Sequence, residues 1–374
     1  MKKRLLTLCL IASAAFPARH SAGQETPAAI SLESPKAPSP DHYSASFRLG
    51  FNINATFKNS GSFGPQGHLV PIPGLGSPLQ PGNPNGDANG NRTYEDGYIW
   101  RDSSGNAFGY SRYWGYDNAE VQYNSSKGTI VMHSSSSSGV KSTGGDDDPT
   151  LGFETGYQRD FTTGPDARWG IQAAFNFMNV GIHDSRPLKG SGRRLSDPYQ
   201  LPPIEGGGFV LPPPAPYMHG PDLSPSGNPV IESSPGSRSF ETFSTSISGS
   251  HVLDADIFGW HVGPYFVVPF GNRMALEVSG GLAIAAVFSD FSFSETITAP
   301  SVQPHIAQSS SQSRIQAGGY VSGKFTLALS ERVSLLVGCQ FQDVSKYTHT
   351  LAGREAGLDL SRSVFVTIGA IFSF

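Results

Sequence analysis

Apolar and polar residues alternate along unusually long stretches of the chain. Tyr43, Ala45, Phe47, Leu49, Phe51, Ile53, Ala55 and Phe57 are apolar or aromatic, and Ser44, Ser46, Arg48, Gly50, Asn52, Asn54 and Thr56 separate them. A period of two marks a strand with one apolar and one polar face. Strands of soluble sheets usually hold for ~5–6 residues, whereas a tilted strand crossing a bilayer needs about 9–11. A run from 43 to 57 reads as the second kind.

The pattern recurs seven times. Trp169, Ile171, Ala173, Phe175 and Phe177 form one apolar face. Phe258, Trp260, Val262, Phe266, Val268 and Phe270 form another, and Leu276, Val278, Leu282, Ile284 and Phe288 a third. Ile315, Val321, Phe325 and Leu327 follow, then Val333, Leu335, Val337, Cys339 and Phe341. A shorter segment holds Leu151, Phe153, Tyr157 and Phe161, and the chain closes on Val364, Val366, Ile368, Ala370, Phe372 and Phe374. Eight strands are expected, joined alternately by short turns (162–168, 271–273, 330–332) and longer loops (58–149, 184–257, 289–311, 348–360). That layout predicts an all-β, antiparallel transmembrane β-barrel with long extracellular loops and both termini on the short-turn side. The segment 240–252 is also strand-like, and either lengthens the fourth strand or makes a ten-stranded barrel.

Composition agrees with this picture. Only 15% of the 374 residues are charged and 37% are apolar, with 44 Gly and 29 Pro. The net charge of -4 is small and no basic patch appears, so nucleic acid is not an expected partner. Lys2, Lys3 and Arg4 precede an apolar run from Leu5 to Phe16 that is shorter than the roughly 20 residues of a membrane helix. This reads as a signal peptide over 1–23, with Ser21 and Gly23 before a cleavage site, followed by a periplasmic segment 24–42 and the barrel over 43–374. Beyond the signal only Cys339 remains, so a disulfide scaffold is not expected.

The final strand, Val364, Val366, Ile368, Ala370, Phe372 and Phe374, resembles the assembly signal of Gram-negative outer-membrane proteins. The strand number resembles the eight-stranded OmpA/OmpX-like barrels. The resemblance covers the strands and stops at the loops. It implies outer-membrane localisation, contact with the lipid bilayer, and recognition of the last strand by the barrel-assembly machinery.

The inward face carries small residues, including Gly50, Gly156, Gly263, Gly281, Gly318 and Gly338, as a narrow barrel requires. Its expected charges are Arg48, Glu154, Glu277 and Lys324. Unpaired charges would be costly there, so these four are expected to form a hydrogen-bonded ionic plug, or else to sit in trapped water. Aromatics near strand ends (Tyr43, Phe57, Phe161, Trp169, Phe270, Phe288, Phe291) fit interfacial girdles.

Loop 58–149 holds Tyr94, Tyr98, Trp100, Tyr110, Tyr113, Trp114 and Tyr116, expected in short hairpins that either bind a ligand or cover the barrel mouth. Ser134 to Ser138 reads as a flexible linker, and the proline-rich 184–239 as disordered or polyproline II. His133 beside Ser134 and Ser135 has no evident acidic partner, and Asp146, Asp147 and Asp148 lack the other ligands of a calcium loop. No catalytic, cofactor or metal site is therefore expected. The functional expectation is a structural or surface-interaction barrel with a plugged lumen. A small passive pore is the alternative and an outer-membrane enzyme the third choice.

Overall fold

The alternating segments pair with their sequence neighbours and close into a ring. The computed structural model describes residues 40–67, 82–101, 109–142, 144–146, 149–162, 167–220, 229–300 and 303–373. Among these, eight strands make the ring: β1 (Asp41–Phe51), β2 (Thr150–Asp160), β3 (Arg168–Asp184), β4 (Ser239–Phe270), β5 (Met274–Thr298), β6 (His305–Ala328), β7 (Val333–Val344) and β8 (Ser363–Ser373). Each pairs antiparallel with the next, and β8 returns to β1 with Phe51 opposite Val364 and His42 opposite Ser373. The expected signal segment 1–23, residues 24–39 and the terminal Phe374 lie outside the described residues.

At some positions the backbone of a paired strand leaves no room for a side chain. A Cβ added to Gly318 would lie 1.9 Å from the Asp343 carbonyl oxygen, and one on Gly281 2.2 Å from that of Val262. No side chain fits at either place, so these glycines set how closely neighbouring strands can pass.

Outside, the lower part of the ring carries an apolar belt. Phe47, Leu151, Trp169, Phe266, Val278, Val321, Val337 and Ile368 are all exposed. Among the described residues no helix is long and apolar enough to cross a membrane. The closed strands satisfy their backbone groups within the ladder, as hydrocarbon requires.

Several strands continue far beyond the belt, and the loop boundaries read from sequence are corrected accordingly. β5 runs on to Thr298 and β6 begins at His305, so most of 289–311 is strand. β4 is one strand of 32 residues, so 240–252 lengthens the fourth strand. The first strand breaks at Asn52, whose φ of 62 is tolerated by asparagine. Beyond the break a separate strand, Asn54–Lys58, joins a small sheet with Gly145–Asp146, Tyr347–Leu351 and Arg354–Asp359. The kink turns the odd-numbered side chains around: Phe47 faces outward at 70% exposure, while Ile53, Ala55 and Phe57 are fully buried.

Among the described residues, the proline-rich region contains regular structure. Leu188–Gln200 is a 13-residue strand lying between the upper part of β4 and Thr129–Ser137, so Ser134 to Ser137 belong to a sheet rather than a linker. This pair supports a lateral lobe. Its core is Tyr94, Ile99, Trp114, Tyr116, Met132 and Tyr199, all with zero exposure. The aromatic residues expected either to bind a ligand or to cover the barrel mouth are thus largely the lobe's own core. Val121, Ile204, Leu211 and Phe240 are its exposed large apolar residues.

Candidate functional site in the barrel interior

Inward-facing residues of the belt region are polar, as strand parity dictates once the outer face is apolar. Arg48 on β1 lies beside Glu154 on β2. Its Nη1 donates to Glu154 Oε2 at 2.6 Å and its Nη2 to Gln342 Oε1 at 3.0 Å. The guanidinium also lies 3.6 Å over the Phe365 ring, a cation–π contact. Lys324 on β6 faces Glu277 on β5 at 3.3 Å. All four expected plug residues are therefore inside, buried, and paired one cation to one carboxylate.

Residues beyond the four expected charges complete the network. Gln158 Nε2 donates to both Glu277 oxygens at 2.9 Å, and Gln172 accepts from Lys324 at 3.3 Å. Gln172 Nε2 donates to Ser279 at 2.8 Å and to the Tyr320 hydroxyl at 2.9 Å, and Ser279 bonds Ser322 at 2.6 Å. Near the short turns, Asp160 accepts from Arg168 at 2.9 Å and from Tyr265 at 2.5 Å, and bonds His42 at 3.2 Å. Inward parity is the sequence signal that marks these residues. Three cations (Arg48, Lys324, Arg168) meet three carboxylates (Glu154, Glu277, Asp160). His261 is a loose member: its Nε2 lies 3.9 Å from Glu154, and neither ring nitrogen has a hydrogen-bond partner.

Above this polar layer the interior turns apolar. Met178, Val180 and Ile182 of β3, Leu253, Ala255 and Ile257 of β4, and Ala283, Ala285 and Val287 of β5 form one buried cluster. The cluster continues upward to Phe57, Phe291, Phe293, Tyr347, Ala356 and Leu358. Phe57 and Phe291, expected at an interface, are wholly inside. Tyr43, Phe161, Trp169, Phe270 and Phe288 stay exposed on the outer face.

A buried ionic latch fixes the upper tier. Glu295 accepts from Arg354 Nη2 at 2.9 Å and from the Gly61 backbone N–H at 2.9 Å, and bonds His251 Nε2 at 2.8 Å. Burial alone would raise the Glu295 carboxyl, but these donors outweigh it and hold it below its usual range.

In the lobe, His133 does have an acidic partner. Asp96 Oδ2 lies 2.5 Å from its Nδ1, and Asp96 Oδ1 accepts from its backbone N–H at 2.8 Å. Glu95 N–H also donates to the His133 carbonyl at 2.8 Å. Burial raises the Asp96 carboxyl above its usual range despite the His133 bonds. The acid grips both backbone and ring, which joins the turn after Tyr94 to the strand Thr129–Ser137. Of the acidic run, Asp146 sits in a two-residue strand, and Asp147 and Asp148 lie outside the described residues. Among the described residues no group of three or more His, Cys, Asp or Glu is arranged to hold a metal ion.

No family model and no curated protein matches the sequence. Among solved structures, the chain is similar to the attachment invasion locus protein Ail of Yersinia pestis. The identity is 8%, covering 88% of this chain and 98% of that one, at a TM-score of 0.25. It is similar also to the outer-membrane protease OmpT of Escherichia coli, at 10% identity, 92% and 100% coverage and a TM-score of 0.31. The toluene transporter TodX of Pseudomonas putida is similar at 8% identity, 90% and 91% coverage and a TM-score of 0.17. By its own ring closure and belt, the chain is an all-β antiparallel barrel of the outer-membrane kind.

Proposed function

We propose that the protein is an outer-membrane barrel with a closed lumen, whose task is to hold a folded lobe outside the membrane for surface interaction. The carrying observation is the double closure of the interior. A charge-balanced hydrogen-bonded layer fills the belt region, and an apolar cluster lies directly above it. Water-filled porin lumens are lined by polar groups along their length, and an apolar layer of this thickness offers an ion no replacement for its hydration shell.

The lobe is built to be displayed rather than to move. Its aromatic residues are spent on its own core, and it grows from the side of β4 through two paired strands. The Asp96–His133 pair works as a clamp within it, which favours a non-enzymatic reading. Planar-bilayer recording of the refolded protein tests the closed lumen: no steady current is expected, and ohmic steps of porin size would replace this reading with that of a small pore. Substituting His133 by Asn should loosen the lobe without removing any activity.

A further inference from the structure

A groove of about 450 Å³ indents the outer face of the barrel. Thr155 and Ala173 give it a shallow floor, and Tyr43, Tyr157, Phe175 and Trp260 wall it. Tyr157 stands opposite Ala173, and Ala173 opposite Val262, so the groove crosses β2, β3 and β4. It lies within the apolar belt, where hydrocarbon is the surrounding medium.

Just beyond the groove, on the short-turn side of Tyr157, the outer surface is polar. Arg159 follows Tyr157 on the same outward face of β2, one step nearer the short turns, and stands opposite Asp41 of β1. Its guanidinium lies 3.9 Å from the Asp41 carboxylate, with side-chain exposures of 57% and 37%. The Tyr157 hydroxyl donates to Asp41 at 2.7 Å. One exposed cation and one exposed anion therefore sit side by side where the belt gives way to headgroups.

We propose that this wall binds one molecule of phosphatidylethanolamine, its acyl chain in the groove, its phosphate on Arg159 and its ammonium on Asp41. A guanidinium pairs well with phosphate oxygens, and a primary ammonium donates to a carboxylate. A choline headgroup has no N–H to donate. A phosphatidylglycerol headgroup has no cation and sets its negative charge against Asp41.

The test is native mass spectrometry of the full folded chain, released from detergent after titration with phosphatidylethanolamine, phosphatidylglycerol or phosphatidylcholine of matched acyl chains. One retained phosphatidylethanolamine is expected, bound roughly tenfold more tightly than the other two, about the scale of one charge-assisted contact. Arg159→Gln should lower retention of all three lipids, because each carries the phosphate. Asp41→Asn should shift it toward phosphatidylglycerol, and Ala173→Phe should lower retention of all three lipids by filling the floor. Shifted mobility on an unboiled gel confirms that each variant is folded. Equal retention of the three lipids by the unaltered protein would overturn the proposal, as would unchanged retention in folded Arg159→Gln protein or an unchanged preference in folded Asp41→Asn protein. Neither result bears on conductance, so the closed-lumen reading stands or falls separately.

Discussion

The belt region and the tier above it are built from the same strands, yet each turns its faces the opposite way. On β5, Val278, Leu282 and Phe288 point outward and are exposed, while Glu277 and Ser279 point inward. A few residues on, the outward positions are Asp290, Ser292 and Ser294, and the inward ones are Phe291 and Phe293. β3 changes likewise between Phe177 and Met178, and β4 between Phe258 and Ile257. The backbone does not change; the solvent does. Where hydrocarbon lies outside, the polar residues are gathered within, and where water lies outside, the core returns to the ordinary arrangement. The turnover is marked by polar pairs on the outer face: Asn179 donates to Asp256 at 2.8 Å, and Ser311 to Asp290 at 2.5 Å.

The sharpest test of the lower region removes one partner of its tightest pair. Arg48→Met leaves Glu154 buried without its cation and should destabilise the barrel by about 3–5 kcal/mol. Adding Glu154→Leu should recover most of that loss, since replacing a whole buried pair by apolar groups is often neutral. Urea unfolding in vesicles, followed by gel mobility, measures both. The upper region should respond to lost packing instead. Phe291→Ala should cost about 3–5 kcal/mol by opening a cavity in a closed core, and the same unfolding assay should show it.

The boundary itself can be located with lysine. Val321 and Ser309 lie on the same outward face of β6, one in the belt and one above it. Val321→Lys should cost about 2–4 kcal/mol because it places a charge in hydrocarbon, whereas Ser309→Lys should stay within about 0.5 kcal/mol. Similar costs at both positions would mean that the belt is misplaced.

The smallest expected effect is a pH dependence of the latch. The folded Glu295 carboxyl lies below its ordinary value. Its stabilisation is therefore present above the unfolded glutamate value of about 4.3 and is lost as pH falls through the lower folded value. Acid should loosen the segment around Gly61 and the Arg354 hairpin before it unfolds the belt. Hydrogen exchange across that range would show faster exchange at Gly61, and Glu295→Gln should largely remove the pH effect.

The sequence displayed the belt well because lipid imposes one strict parity. It displayed the upper tier poorly for the same reason. On β5 the inward apolar face begins at Ala283 and the outward one stops at Phe288, so beyond Phe288 the alternation is shifted by one residue and looks like the end of a strand. At Asn52 the reverse happened: the alternation of Tyr43 to Phe57 runs on unbroken while the backbone kinks, so two strands read as one. The lumen charges Arg48, Glu154, Glu277 and Lys324 were legible from parity and cost. Their pairing depends on the register between neighbouring strands, which sets Glu277 opposite Lys324, and the contact of Gln158 with Glu277 reaches across the ring; no local pattern carries either. The Asp96 partner of His133 lies 37 residues away in the chain, in the turn between Arg92–Tyr94 and Gly97–Trp100.

Ionic current most directly tests the central claim, that a polar layer and an apolar layer together close this barrel. Single-channel recording should compare the refolded protein with a variant opened in both layers, Arg48→Ser with Phe291→Ala, each verified as folded by its gel mobility. The closed-lumen account predicts a silent bilayer for the unaltered protein and a rise in conductance only for the opened variant. Steady ohmic steps from the unaltered protein would contradict it.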